Sequence, residues 1–126
     1  MARFSAIFVA LATVLAVSAS PVPSGTELTA RAGSGRATWF NVGLGACGDT
    51  NVDSDSILAL SGSIYSASDC GKSVSITNPA TGKSASGVVK DMCPGCGAND
   101  IDLSPSLFQQ LGELDTGVLN VDWSFS

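Results

Sequence analysis

The sequence predicts a small, mainly β domain whose strands close into a barrel. Four short segments, at residues 36–42, 73–77, 86–90 and 118–125, show strand-like alternation or a high density of β-branched residues. The stretch NPATGK at residues 78–83 separates the two middle segments and has the composition of a turn. Short strands joined by many turns, with little predicted helix, are typical of small closed β-barrels.

One helix is predicted near the end of the chain. Ser104 is a favourable N-cap, Pro105 suits the first helical position, and Gly112 is a stop signal. The apolar residues between them give this helix a face that can pack on a barrel: Leu107, Phe108 and Leu111. We therefore expect one or two short helices beside the strands.

The first residues have the features of a secretory signal. A single arginine precedes an apolar run that ends in small residues and is too short to span a bilayer comfortably. Residues 20–35 are rich in Pro, Gly, Ser and Thr without apolar periodicity, which is typical of a flexible leader. The sequence thus predicts a signal peptide at 1–19, a flexible leader at 20–35 and one domain at 36–126, in a secreted, extracellular protein.

The four cysteines are expected to form two disulfides. Disulfides are favoured outside the cell, and an even number of cysteines in a small secreted domain is typical of a disulfide framework. A zinc site at Cys93 and Cys96 would also need Cys47 and Cys70, because the chain contains no histidine. A thioredoxin-like redox motif is disfavoured because the CPGC stretch does not open a predicted helix. The residues alone leave the pairing open.

The charge balance excludes several classes of partner. The chain has six Lys and Arg against eleven Asp and Glu, and the few cations are scattered. They cannot form the basic face that nucleic acids or anionic membranes require, so we expect neither partner. The aspartates at residues 49–55 alternate like calcium ligands, but Ser54 and Leu60 replace the glycine and glutamate of a calcium loop. We predict no metal and no cofactor, and a monomer whose partner is a neutral polymer or a basic protein.

Two carboxylates and a few aromatic residues are candidates for a site. Asp91 ends an apolar strand, and Asp102 lies between two apolar residues from which strand alternation turns it away. A pair of carboxyl groups is what glycoside hydrolysis normally uses, whereas the absence of histidine excludes the usual Ser–His–Asp arrangement. Trp39 and Phe40 must point to opposite sides of a strand, so one is expected in the core and the other can stack on a sugar.

Taken together, these segments resemble secreted fungal double-psi β-barrel proteins of the rare-lipoprotein-A-like group. This group includes the loosenins and is related to barwin, to a family of endoglucanases and to the first domain of expansins. The resemblance covers nearly all of residues 35–125 and rests on fragments in the family's order: GRATWF, GACG, DCGKSVSITNPATGK, VVKDMCPGC, DIDLSPSLFQQLG and GVLNVDWSF. It implies a six-stranded double-psi β-barrel with a groove across one face.

The resemblance also implies roles for particular residues. Asp102 matches the functional aspartate of the family, Asp91 matches a second groove aspartate, and Thr38 matches a threonine of the first strand. The hydrolytic endoglucanases carry a catalytic aspartate shortly after the first-strand aromatic, where this chain has Asn41 and no carboxylate. An amide cannot act as a general base, so inverting hydrolysis is not expected.

Barwin pairs the cysteines that match Cys47 and Cys93. The resemblance therefore implies the disulfides Cys47–Cys93 and Cys70–Cys96. With this pairing, the CPGC motif would anchor two different disulfides.

The resulting hypothesis is a secreted protein that binds cell-wall glycan and loosens it without cleaving bonds. Asp102 would be the central anchor and the candidate catalytic residue, Asp91 and Thr38 would orient sugar hydroxyls, and Trp39 or Tyr65 would offer a stacking face. The polymer, of the chitin or the cellulose type, stays open. Two alternatives remain: a lytic transglycosylase or weak glycosidase, and a protease inhibitor or effector that binds a protein partner.

Overall fold

The computed structural model describes residues 32–126, so the predicted signal peptide and most of the predicted leader lie outside the described residues. The described part is a barrel of six strands with one short α-helix. In chain order the elements are β1 (Ala32–Trp39), β2 (Ile57–Ser61), a 3-10 turn (Ala67–Asp69), β3 (Ser73–Asn78), β4 (Lys83–Cys93), β5 (Ile101–Leu103), α1 (Pro105–Gln109), a 3-10 turn (Leu114–Thr116) and β6 (Leu119–Phe125).

The strands close into a barrel in the order β1-β5-β2-β4-β3-β6, which confirms the predicted fold class. β1 pairs with β5 and β2 with β4 in parallel, and the other pairs are antiparallel. The four predicted strands correspond to β1, β3, β4 and β6. β2 was not predicted because all five of its residues are buried, so its sequence ILALS lacks the alternation of a half-exposed strand.

β1 begins at Ala32, four residues before the predicted domain boundary at residue 36. The last residues of the predicted leader are therefore part of the barrel, where Ala32 pairs with Ser124 of β6. Glycine serves a packing purpose here, because a Cβ atom on Gly35 would lie 2.1 Å from the backbone oxygen of Asn99. The glycines that suggested flexibility instead permit a close approach of two backbone segments.

The predicted helix is present as α1 and begins as expected. The hydroxyl of Ser104 accepts a hydrogen bond from the Leu107 amide at 3.3 Å, and one from the Ile57 amide at 3.3 Å, so this cap also joins α1 to β2. The helix is shorter than predicted and ends at Gln109. No helix within residues 32–126 is long and apolar enough to cross a membrane. The core inside the barrel and under α1 contains Ala37, Leu58, Leu60, Val74, Ile76, Val89, Ile101, Leu103, Leu107, Phe108, Leu111, Val121 and Trp123.

The chain forms two disulfides, but their pairing differs from the prediction. Cys47 pairs with Cys70, and Cys93 pairs with Cys96, with Cα–Cα distances of 5.8 Å and 5.5 Å. The implied pairs Cys47–Cys93 and Cys70–Cys96 are therefore wrong, and the CPGC motif closes on itself.

The hydrogen bonds around β4 explain this pairing. The amide of Cys47 donates to the carbonyl of Lys90, and the amide of Gly71, next to Cys70, donates to the carbonyl of Val89. Both segments thus dock side by side on the middle of β4, before the strand reaches Cys93. After Cys93 the chain turns back at once, and the amide of Cys96 donates to the carbonyl of Cys93 at 3.3 Å.

The aspartates of residues 49–55 hold their own loop together. The carboxylate of Asp53 accepts hydrogen bonds from the Val42 amide at 2.9 Å and the Asn41 side chain at 2.8 Å. The backbone amide of Val52, and less strongly the Asn51 side chain, lower the pKa of Asp55 by hydrogen bonding to its charged form. These contacts are those of a structured surface loop, as the sequence predicted.

Candidate functional site

Four residues from four neighbouring strands lie on one line across the wall of the barrel. Thr38 of β1 pairs with Asp102 of β5, Asp102 pairs with Ala59 of β2, and Ala59 pairs with Asp91 of β4. Adjacent strands are about 4.8 Å apart, so the two carboxylates lie two strand spacings from each other. We call these four residues the transverse row.

The transverse row faces away from the core. Asp102 stands between Ile101 and Leu103, which are both fully buried inside the barrel. Ala59 stands in the same way between Leu58 and Leu60. Since successive side chains of a strand point to opposite faces, the row points away from the barrel interior; Thr38, Asp91 and Asp102 are half-buried there, and Ala59 is buried, with 2% of its area exposed.

A β-bulge brings the second carboxylate into the row. Leu58 pairs with Val89, but the next residue of β2, Ala59, pairs with Asp91, so that Lys90 is an extra residue in β4. Without this bulge Ala59 would lie opposite Lys90, and Asp91 would lie one position further along. Bulges often re-aim a side chain in this way beside functional sites.

The surroundings of Asp102 favour its neutral form. Burial raises the pKa of this carboxyl group, and the negative charge of Asp91 raises it further. The hydroxyl of Thr38 donates to Asp102 Oδ1 at 2.9 Å and, together with a backbone hydrogen bond from Leu103, opposes this effect in part. The net result is a pKa above the ordinary value for aspartate, so Asp102 takes up a proton more readily than an exposed aspartate.

Asp91 is held much more tightly than Asp102. Its Oδ1 atom accepts hydrogen bonds from the backbone amides of Ala46 and Met92, both at 2.8 Å. The loop that contains Ala46 packs closely on β4, since a Cβ atom on Gly45 would lie 2.3 Å from the carbonyl oxygen of Lys90. Asp91 therefore anchors the segment between β1 and β2 to β4, and its Oδ2 atom is the one left for other partners.

The two predicted stacking residues pack toward the core. Trp39 contacts the core cluster, and its indole N–H donates to the carbonyl of Leu114 at 3.0 Å. Tyr65 also packs on the core, with its hydroxyl oxygen 3.4 Å from the sulfur of Cys70. Phe40, the first residue after β1, follows Thr38 at the outward-facing spacing, and it is half-buried like Trp39.

The structure thus brings together Asp102, Asp91 and Thr38, and it adds Ala59, which sequence reasoning missed. Ala59 lies between the two carboxylates in the strand register and is buried, with 2% of its area exposed. The short apolar run at residues 57–60 was the only sequence signal for this strand. Among the described residues, no group of three or more metal-ligating side chains is present.

A closed barrel of six strands, with parallel pairs among antiparallel ones and a polar line on its outer wall, defines a small double-psi β-barrel protein. A family model for this barrel, described as lytic transglycolase, matches residues 32–123. The chain belongs to this rare-lipoprotein-A-like double-psi β-barrel family.

Individual relatives with this barrel carry different names. The chain is 33% identical to a papain inhibitor of Streptomyces mobaraensis, over 98% of this chain and 92% of the inhibitor. It is 41% identical to an Asp f 7 allergen homologue of Arthroderma benhamiae, over 62% of this chain and 28% of the allergen. A solved structure of a Clavibacter michiganensis expansin mutant in complex with cellohexaose has a TM-score of 0.67 and 27% identity, over 75% of this chain and 50% of the expansin. The chain thus spans half of the expansin and about a quarter of the allergen homologue.

Proposed function

We propose that this protein binds neutral cell-wall glycans of the cellulose or chitin type along the transverse row, and loosens contacts between glycan chains without hydrolysing them. The observation that carries this proposal is the placement of Asp102, held by Thr38, in line with Asp91 on the side of the barrel wall that faces away from the core. The similar expansin was solved with cellohexaose, which supports a glycan as the ligand.

The chemistry of the row suits sugar hydroxyl groups. A hydroxyl group both donates and accepts hydrogen bonds, and the row offers a carboxyl group with a raised pKa beside the hydroxyl of Thr38. When it is neutral, Asp102 can donate a hydrogen bond to the oxygen of a sugar hydroxyl or accept one from its hydrogen.

The partners of two further residues argue against hydrolysis. An inverting glycosidase needs a general base that activates water opposite its general acid. Asn41 occupies the position of that base in related endoglucanases, and its amide group instead donates to Asp53 at 2.8 Å. Asp91 gives one oxygen atom to two backbone amides, so only its other oxygen atom is left to contact a water molecule.

We also propose that the protein acts outside the cell. Two disulfides, with the Cα distances expected for such bonds, form and persist most readily in oxidising compartments. The predicted signal peptide at residues 1–19 agrees with this location.

The test compares wild type, Asp102→Asn and Asp115→Asn on insoluble cellulose and on insoluble chitin. Asp115 is an exposed aspartate outside the transverse row, so its variant controls for the loss of one negative charge. Three quantities are measured: bound protein, soluble sugars by mass spectrometry, and the rate at which a separate hydrolase later degrades the treated polymer. We expect faster later degradation with wild type and Asp115→Asn, without soluble sugars, and no such effect with Asp102→Asn.

Other results would identify a different activity. Soluble anhydro-sugars that vanish in Asp102→Asn would show a lytic transglycosylase, in which Asp102 acts as the acid. Soluble reducing sugars that vanish in the same variant would show a weak glycosidase. No binding to either polymer would sink the glycan proposal.

A protein partner is the second candidate, because the similarity to the papain inhibitor extends over 98% of this chain and 92% of that protein. We propose inhibition of a papain-type cysteine protease as the form it would take. The measurement is the inhibition constant of wild type and Asp102→Asn against papain. Inhibition that survives Asp102→Asn would favour this candidate and would place the inhibitory surface outside the transverse row.

A further inference from the structure

A surface pocket of about 250 Å³ lies on the outer wall of the barrel, where β1 and β6 meet the turn between β3 and β4. We call it the Arg36 pocket. Within β1 and β6 it lies directly on the register pair Arg36–Asn120. Its lining residues are Ser34, Gly35, Arg36, Pro79, Asn120, Val121 and Asp122.

The Arg36 pocket continues the transverse row along β1. Arg36 and Thr38 are separated by Ala37, which is fully buried, so both side chains point outward. Two residues along a strand span roughly 6.6 Å, which places the pocket next to the row. The segment that leads into β5 runs beside Arg36, because the carboxylate of Asp100 accepts a hydrogen bond from the backbone amide of Arg36 at 2.9 Å.

The charges around the pocket favour a neutral ligand. The side chain of Arg36 is 66% exposed, and its guanidinium group lies 3.6 Å from the carboxylate of Asp100. A second carboxylate, Asp122, lines the pocket and accepts a hydrogen bond from the hydroxyl of Ser34. Two negative charges beside one positive charge disfavour an anionic ligand such as a phosphate.

The remaining groups of the pocket match the hydroxyl groups and the apolar C–H face of a sugar ring. Asn120 is exposed, and its side-chain amide makes no hydrogen bond to any residue within 32–126. This side-chain amide can therefore both donate to and accept from a ligand hydroxyl. Arg36 adds donors in a fixed plane. Pro79 is exposed and offers an apolar surface against which the C–H face of a sugar can pack.

We propose that the Arg36 pocket is a second sugar-binding subsite, occupied by the same glycan chain that lies along the transverse row. This inference rests on the proposed function and specifies where a longer glycan extends beyond Asp102. It predicts that affinity increases with the length of the oligosaccharide, because a disaccharide can occupy the row alone whereas a hexasaccharide reaches the pocket.

The test measures dissociation constants by NMR titration for two pairs of oligosaccharides: cellobiose with cellohexaose, and chitobiose with chitohexaose. The variants are Asn120→Ala, Arg36→Gln and Asp102→Asn. The matched control is Gln109→Ala, which removes an exposed side-chain amide that lines a different cavity. The amide spectrum of each variant shows whether the barrel stays folded.

For wild type and Gln109→Ala we expect tighter binding of the hexasaccharide than of the disaccharide. Asn120→Ala and Arg36→Gln each remove one to two hydrogen bonds, so the hexasaccharide affinity should fall about fivefold to tenfold while the disaccharide affinity is unchanged. Asp102→Asn should weaken both ligands. The amide signals of Arg36 and Asn120 should shift with the hexasaccharide only.

Three ways in which the proposals can fail can be told apart. Hexasaccharide binding that depends on Asp102 but is equal in Asn120→Ala, Arg36→Gln and Gln109→Ala would overturn the subsite and leave the proposed function standing. No binding of any oligosaccharide to wild type would overturn both. Binding that depends on Asn120 but not on Asp102 would keep the pocket as a sugar site and overturn the role of the row.

Discussion

The two aspartates of the transverse row occupy equivalent places, on either side of Ala59, yet the structure holds them in different ways. Asp91 gives one oxygen to two backbone amides at 2.8 Å, whereas Asp102 accepts hydrogen bonds from the Thr38 hydroxyl at 2.9 Å and from the backbone of Leu103. Amide partners are fixed by the fold, but a hydroxyl group can rotate toward a ligand. This difference indicates that Asp91 anchors the scaffold, and it supports the proposed role of Asp102 as the residue that contacts the ligand.

The surroundings of Asp91 extend this contrast. The backbone amide of Ala46 donates a hydrogen bond to Asp91. The next residue, Cys47, forms a disulfide with Cys70. One side of the row is therefore cross-linked, while Asp102 and Thr38 are joined by strand pairing and by the hydrogen bond between their side chains. Four predictions test this division, in order of decreasing effect.

The largest effect is expected for the double substitution Cys47→Ala and Cys70→Ala. This disulfide joins residues 23 positions apart, whereas Cys93 and Cys96 are 3 apart. Loop-closure entropy predicts a loss of about 3 kcal/mol in the free energy of unfolding for the first pair and about 2 kcal/mol for the second. Urea denaturation of both double variants measures this order, and a larger loss for Cys93 and Cys96 would contradict it.

The next effect is expected for Asp91→Ala. The variant leaves the amides of Ala46 and Met92 without their acceptor, which should lower the free energy of unfolding by about 2 kcal/mol. Asp91→Asn keeps an acceptor oxygen and should cost less. If both variants unfold at the wild-type urea concentration, Asp91 is not an anchor and its assignment to the scaffold is wrong.

Asp102→Asn should change the free energy of unfolding in the opposite direction, raising it at neutral pH. Because burial raises the pKa of Asp102 in the folded protein, the folded state binds the proton more tightly than the unfolded chain, where the pKa is about 3.9. Wild-type stability therefore falls as pH rises from the unfolded value through the raised folded value. We expect Asp102→Asn to be more stable than wild type at pH 7, with a difference that disappears below about pH 4. Thermal unfolding of both proteins between pH 3 and pH 8 checks this, and a constant difference across that range would refute it.

The smallest effect is expected for Thr38→Val. The hydroxyl of Thr38 opposes the rise in the pKa of Asp102, so its removal should raise this pKa further. Carbon-13 NMR of the Asp102 carboxyl group measures the change directly. Thr38→Ser keeps the hydroxyl group and serves as the control. A pKa that falls or does not move in Thr38→Val would mean that the hydrogen bond does not stabilise the charged form.

Much of the fold could be predicted from the sequence, because β3, β4, β6 and the cap of α1 carry local signals. β2 could not, since a strand buried on both faces shows no alternation. The disulfide pairing could not either, because it depends on which segments dock beside each other on β4, and that is decided by tertiary hydrogen bonds.

The residues of the candidate site also divide into those that could be predicted from the sequence and those that could not. Asp102 and Thr38 lie in strand patterns that show which way they point, so their place was predictable. Asp91 reaches the row only through the bulge at Lys90, which has no signature in the sequence. The sequence required one of Trp39 and Phe40 to face the core, but only the packing around Leu114 decides that it is Trp39.

The order of the strands has a consequence for how this protein matures. Thr38 and Asp102 are 64 positions apart in the chain, and Ala59 and Asp91 lie between them. Contacts at such separation must overcome a large loop-closure entropy before they contribute energy, so folding is expected in milliseconds to seconds rather than microseconds. The row is complete only when the first and fifth strands have met. Assembly of the row therefore requires that β1, β2, β4 and β5 have all come together, and a chain that lacks β5 would lack Asp102.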